Sequence, residues 1–245
     1  MSLSYEVRDR IAYVTLGRPE RHNALRDEDL VQLGDVLRQF DDDAAADIGI
    51  VHGRGPSFCS GSDVVHRMQR AYVEGVAESE PSELDGVLQT QHWKPLIAAV
   101  QGYCLGQGIG LAFMCDHVVA CSGARFQVTE AVVGVPAATF VERLGGGRLA
   151  MEAGMTGRFF TAQEAAAAGM LTRLVDDGHH LTGAEALARE ILANPQGAIR
   201  ELVRYRRLKL AQSLFALEET SRPFDWAGDL ETQSRIKARI ARHQS

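Results

Sequence analysis

Two glycine-rich turns constrain this chain more than any other feature. Phe58-Cys59-Ser60-Gly61-Ser62-Asp63 and Gly102-Tyr103-Cys104-Leu105-Gly106-Gln107-Gly108-Ile109-Gly110 each lie between a strand-like run and a helix-like run. Glycine at such a junction is first a backbone device, which relieves steric strain and lets two backbones approach closely. Two such turns set side by side can also aim two backbone N–H groups at one oxygen. That arrangement makes an oxyanion hole, whose donors are each worth about 3–4 kcal/mol of transition-state stabilisation.

The 245 residues are 45% hydrophobic and 24% charged, enough to bury a core without staples. Cys59, Cys104, Cys115 and Cys121 lie in or beside apolar runs without C-x-x-C or His/Cys metal spacing, and read as buried reduced thiols. A net charge of −6 gives no global basic field for nucleic acid. The first eight residues hold no apolar signal core, and no run reaches the roughly 20 apolar residues of a membrane span. The expectation is a soluble cytoplasmic protein with no nucleic-acid or membrane partner and no metal.

Residues 5–7 and 11–16 are strand-like around the polar Arg8-Asp9-Arg10, an opening hairpin. Residues 27–40 place Leu30, Leu33, Val36, Leu37 and Phe40 at helical spacing. Residues 48–51 form a strand into the first glycine turn. From Ser62 the chain reads as a helix, followed by a polar, glycine-bearing stretch from Glu74 to Glu83. Residues 96–100 feed the second turn, and residues 109–114 are apolar all round, as in a buried helix. Short strands at 118–120 and 126–128 complete an alternation that argues for an α/β fold. From Thr139 the pattern becomes helical, over 148–155, 161–168 and 184–193, with Thr161 and Glu164 spaced as a capping box. Asn194-Pro195 then divides a core of residues 1–193 from a C-terminal helical region, 194–245, which is broken at Ser221-Arg222-Pro223 and serves oligomerisation.

Five motifs in order carry a resemblance. Arg18-Pro19-Glu20-Arg21-His22-Asn23-Ala24-Leu25 looks like an R-P-x-x-x-N-A-L signature, and Phe58 to Asp63 like F-C-x-G-x-D. Gly102 to Gly110 with Cys115-Asp116 looks like G-x-x-x-G-G-G followed by C-D, Phe126 to Glu130 with Gly134 like F-x-x-x-E-x-x-x-G, and Thr156 to Ala165 like T-G-x-x-x-x-A-x-E-A. In this order the motifs resemble the crotonase superfamily, the enoyl-CoA hydratase/isomerase family, over residues 5 to 175. The resemblance implies a spiral of ββα turns with a C-terminal α-helical region, assembled as a homotrimer or a dimer of trimers. It also implies an acyl-CoA thioester substrate, with CoA as part of that substrate and no separate cofactor. The shared chemistry is a thioester enolate held by two N–H groups, which fall here on Ser62 and Gln107. The second turn opens a helix, whose dipole would add about 0.3–2 kcal/mol. Glu20, Arg21 and His22 match the CoA-binding part of the early signature, with Arg21 a phosphate partner, and Ser60 and Ser62 match backbone contacts to CoA in the first turn.

The departures bear on the reaction. Of two family glutamates flanking the substrate double bond, the first falls at Gly110, which has no side chain, and the second is present as Glu130. An aspartate of dienoyl isomerase relatives is replaced by Ala138. Hydration is most easily done by two positioned carboxylates. One carboxylate suffices for an allylic shift, so the residues favour isomerisation by Glu130. The alternative is a non-hydrating homologue: a decarboxylase or dehydratase of carrier-bound thioesters, or an acyl-CoA binder without turnover. A dinucleotide-binding reading of Gly106-Gln107-Gly108 fails because Leu111 stands where the third glycine belongs. Simpler roles compete elsewhere. Asp63 suits a helix cap, Asp116 and His117 suit buried hydrogen bonding, and His66 and Arg67 suit a polar helix face. Arg204, Arg206, Arg207, Lys209, Arg235 and Lys237 suit the solvated face of tail helices, with a reach to a neighbour's CoA as the rival reading.

Overall fold

The computed structural model describes residues 2–63, 92–135, 137–220 and 229–244. The helix expected from Ser62, the stretch at 74–83, His66, Arg67 and the break at 221–223 lie outside the described residues.

β1 (Leu3–Arg8) and β2 (Ile11–Leu16) form the antiparallel hairpin, turning through Asp9 and Arg10 at φ 50° and 66°. Two successive left-handed residues match the twist of the strands they join. α1 (Asp27–Asp42) leads to β3 (Ile48–Gly53), and β4 (Leu96–Val100) follows parallel to it. β6 (His117–Cys121) and β9 (Arg173–Val175) complete a sheet of order β1-β2-β3-β4-β6-β9. β5 (Tyr103–Leu105), β7 (Arg125–Gln127) and β8 (Phe159–Thr161) form a second, three-stranded sheet. The helices after α1 among the described residues are α2 (Gln107–Met114), α3 (Glu130–Val133), α4 (Ala138–Arg143), α5 (Arg148–Thr156), α6 (Ala162–Ala167), α7 (His180–Leu192), α8 (Gln196–Thr220) and α9 (Leu230–Gln244).

The central strands β2, β3, β4 and β6 are buried on both faces along most of their length, which is why they are largely apolar runs. Along β4, Leu96, Ala98 and Val100 join the core with α1 and α2, while Ile97 and Ala99 pack with Ala184, Leu187 and Ala188 of α7. The expected α/β alternation is present, and Thr161 and Glu164 do form a capping box: the Glu164 N–H donates to Thr161 Oγ1 at 3.1 Å. The wholly helical reading after Thr139 is corrected, because β8 and β9 intervene. Strands of three residues are too short to show a period of two. The four cysteines are buried and unpaired.

The C-terminal region packs on the core of its own chain. Arg206 and Arg207 of α8 donate to the Met114 carbonyl at 3.2 and 2.7 Å and to Asp116 at 3.3 and 3.1 Å, and Arg206 also reaches Phe113 O at 3.3 Å. These two arginines are therefore not a solvated face: they satisfy the last carbonyls of α2, at the end where its dipole favours cations. Arg204 lies over the Trp93 ring at 5.4 Å. Asp116 also accepts the Leu96 N–H at 2.9 Å, in keeping with its expected buried hydrogen-bonding role. α9 crosses α3, where Arg235 donates to Val132 O at 3.3 Å and Thr232 Oγ1 to Gly134 O at 3.4 Å.

Replacing Arg207, whose side chain is 10% exposed, by Met removes one of the two cations on Asp116, whose side chain is only 7% exposed. Urea denaturation is expected to show a loss of about 3 kcal/mol, the lower end for breaking a buried ion pair, because Arg206 remains.

Candidate active site

The segment after β3 is fixed from below by the loop that follows β2. Asn23, 2% exposed, donates through Nδ2 to the carbonyls of Arg54 (2.9 Å) and Ser57 (2.8 Å) and accepts the Arg18 N–H through Oδ1 (2.9 Å). Arg18 then spans to Asp63, with Nη2 3.0 Å from Oδ2. The residues between Arg18 and Asn23 thus form a clip on the first glycine turn, and Asp63 is bound into it. The Leu25 N–H donates to Gly61 O and the Asp63 N–H to Leu25 O, both at 2.8 Å. Ser62 lies between these bonds with its own N–H directed away from Leu25.

The second turn lies alongside the first. Phe58 and Cys59 donate to the carbonyls of Gln101 (2.7 Å) and Tyr103 (3.0 Å), and Leu105 donates back to Cys59 O (3.0 Å). The approach is close enough to require glycine. Gly61 has φ +100°, and a Cβ on it would stand 2.9 Å from Leu105 O and 3.5 Å from the Gln107 nitrogen. Gly106 has φ +48°, and a Cβ there would meet Thr129 Oγ1 at 2.6 Å and Glu130 Oε1 at 3.1 Å. Both turns and Glu130 are thereby brought together. Ser62 and Gln107 are half-buried, and among the described residues neither N–H donates to an acceptor. Gln107 is the first residue of α2, so its N–H lies at the positive end of that helix.

Glu130 is the first residue of α3 and is 9% exposed. Burial raises its pKa from the ordinary 4.5 to about 7, against weaker opposing effects from backbone N–H groups of Glu130 and Thr129, the Arg239 charge and the Thr129 hydroxyl. Thr129 Oγ1 stands 3.5 Å from Oε2. A carboxyl group so tuned exchanges a proton readily near neutral pH. Gly110 is buried on α2, three residues beyond Gln107.

Glu20, Arg21 and His22 are exposed at the short 3-10 turn Pro19–Arg21 and its cap. The His22 ring lies 2.9 Å from Ser57 Oγ and edge-on to Tyr103 at 5.7 Å. Ser60 joins this surface to the first turn: its N–H donates to His22 O at 2.9 Å and its hydroxyl to Arg21 O at 3.3 Å. Sequence reasoning missed the roles of Thr129, Arg18 and Asn23 and the reach of Arg239 from the tail. Thr129 adjoins Glu130 and Arg18 and Asn23 bracket the early signature, so both were within sight. Arg239 carries no local signal. Among the described residues no helix is long and apolar enough to cross a membrane, and no three His, Cys, Asp or Glu side chains converge to hold a metal.

Comparison with known proteins identifies the family to which the fold belongs. The family described as enoyl-CoA hydratase/isomerase matches residues 6–220. The chain is 31% identical over 237 residues to a protein of Rhizobium meliloti named "Probable enoyl-CoA hydratase", covering 89% of this chain and 91% of that one. It is 35% identical over 167 residues to the 2,3-dehydroadipyl-CoA hydratase of Escherichia coli, covering 66% and 65%. The crystal structure of an enoyl-CoA hydratase/isomerase from Xanthobacter autotrophicus superposes with a TM-score of 0.86 at 28% identity, covering 99% and 93%.

The raised pKa of Glu130 sets a pH dependence of stability. Between about pH 4.5 and 7 the folded protein holds this proton more tightly than the unfolded chain, so stability falls as pH rises through that window. Glu130→Gln, which stays neutral, is expected to escape the loss and to gain on the wild type on the order of 3 kcal/mol from pH 4 to 8. Denaturation curves of both proteins across that range check this.

Proposed function

The chain belongs to the enoyl-CoA hydratase/isomerase family of acyl-CoA enzymes, whose fold is the crotonase fold, and we propose that it shifts the double bond of an enoyl-CoA thioester by one-carboxylate proton transfer. The observation that carries this reading is the buried carboxyl group of Glu130, with a pKa of about 7, beside the second glycine turn.

In the proposed reaction the thioester oxygen of a 3-enoyl-CoA accepts hydrogen bonds from the N–H groups of Ser62 and Gln107. The Glu130 carboxylate removes a proton from C2, and the electron pair moves onto the thioester oxygen as a dienolate. Glu130 then returns the proton to C4, the carbonyl re-forms, and the double bond lies between C2 and C3. Atoms and charge balance with no other reactant. Two N–H groups that find no acceptor among the described residues, one at a helix N-terminus, suit an oxygen that gains charge in the transition state. Glu20, Arg21, His22, Ser60 and Ser62 hold the CoA portion in this reading, with Arg21 toward a phosphate. Hydration is the second reading, favoured by the names of the hydratase relatives. A carboxyl group tuned to neutral pH argues against an inert binder.

Purified protein with 3-enoyl-CoA is expected to produce the absorbance of a conjugated 2-enoyl thioester. Loss of that absorbance from 2-enoyl-CoA would instead identify hydration, and CoA binding without either change would refute both. Because the base must be ionised, kcat/KM is expected to rise with pH through about 7. Glu130→Gln should lower turnover by at least 100-fold with thioester binding retained.

The trimer belongs to the same proposal. Tyr103 and Phe159, with ring centroids 6.4 Å apart, are exposed together, as are Val132, Met151 and Met155 on α3 and α5. Such a face suits burial against a second copy of the chain. Analytical ultracentrifugation is expected to give about 80 kDa, three times the 26.7 kDa chain, or twice that for a dimer of trimers.

A further inference from the structure

Of the residues of α2, only Gln107 carries a polar side chain. The part proposed for residue 107 above uses its backbone N–H alone, which any residue but proline would supply. Yet its carboxamide oxygen is buried and, among the described residues, has no hydrogen-bond partner. A buried acceptor without a donor is destabilising, and truncation of the side chain would relieve it. Gly106, immediately before it, is so close to Glu130 that a Cβ would lie 3.1 Å from Oε1. Gly110, three residues further on and hence on the neighbouring helix face, leaves Gln107 the only polar side chain that α2 offers there.

An amide oxygen can only accept, so its complement is a donor. The thioester carbonyl is itself an acceptor and cannot serve. The donor that enolate chemistry brings is an O–H at C3, either of an attacking water or of the hydroxyl of a 3-hydroxyacyl thioester, which are one oxygen at two stages of a reaction. We propose that the Gln107 carboxamide oxygen accepts a hydrogen bond from that O–H and fixes an oxygen at C3 of the acyl chain. Gln107 is then a positioning residue for water and a specificity residue for 3-hydroxyacyl-CoA thioesters.

This inference rests on the thioester reading above and adds a second outcome at the same carboxylate. Water donates one proton's hydrogen bond to Gln107 and gives its other proton to Glu130, while an oxygen lone pair forms the C3–O bond. The C2–C3 π pair moves into the enolate. Glu130 returns the proton to C2, the carbonyl re-forms, and one water has been added. The neutral amide takes no proton at any stage; it holds the oxygen that an acid at position 110 would otherwise hold.

The test is isothermal titration with 3-hydroxybutyryl-CoA and with butyryl-CoA, which lacks the hydroxyl. It uses the Glu130→Gln protein, in which the ligand is not turned over, with and without Gln107→Met. Gln107→Met is expected to weaken 3-hydroxybutyryl-CoA about 3- to 10-fold, leave butyryl-CoA within twofold, and not lower the melting temperature of the free protein. Gln107→Glu, which keeps an acceptor oxygen, should retain the preference for the hydroxylated ligand. An equal loss for both ligands would overturn the proposal, because the donor would then lie in the shared pantetheine, and so would no loss for either. If the Gln107 protein binds neither thioester, the thioester reading itself falls; if it binds both without preference, only the role of Gln107 does.

Discussion

The close approach of two backbone turns is the constraint on which the rest depends. Gly61 faces the Leu105 carbonyl and the Gln107 nitrogen across a gap that no Cβ fits, and Gly106 faces Thr129 and Glu130 across another. Both also have left-handed φ, so a side chain at either position would be strained as well as crowded. The contact fixes three things at once: the spacing of the two N–H groups, the start of α2 beneath them, and the depth at which Glu130 is buried. A methyl group at either glycine would move all three.

That depth decides the electrostatics. At the surface Glu130 would be an ordinary anion at neutral pH. In its site, loss of hydration outweighs the nearby N–H groups and the more distant Arg239 charge, and the proton is shared near pH 7. The destabilisation this implies for the ionised form is of the kind that functional sites tolerate and cores do not. Scaffold and chemistry meet at one residue: the turn that needs glycine also walls off the water that would restore an ordinary pKa.

Much of this was legible in sequence because it rests on backbone. The glycines of both turns, the apolar runs of β3, β4 and α2, and the Thr161–Glu164 box have local signatures, and each element lies within a few residues of where its pattern puts it. The reading failed where structure depends on distant partners. β8 and β9 are strands only because β7 and β6 pair with them. Arg206 and Arg207 look like surface charge until the end of α2, about 90 residues earlier, is set beside them. The ion pair of Asp63 with Arg18 likewise depends on a loop 45 residues away. Gln107 was visible, but periodicity weighs only polarity and cannot register an oxygen without a partner.

The capping of α2 by α8 also imposes an order on biosynthesis. α2 emerges from the ribosome some 92 residues before Arg206, a delay of roughly 5–20 s at ordinary translation rates. Until then its last carbonyls and the Asp116 carboxylate wait without their cations, and the apolar helix that opens at the second turn has no fixed far end. The nascent chain thus holds a complete set of site residues well before it can hold them still. Any brake on translation within α8 would lengthen the time that this apolar helix is open to other partners, chaperones among them.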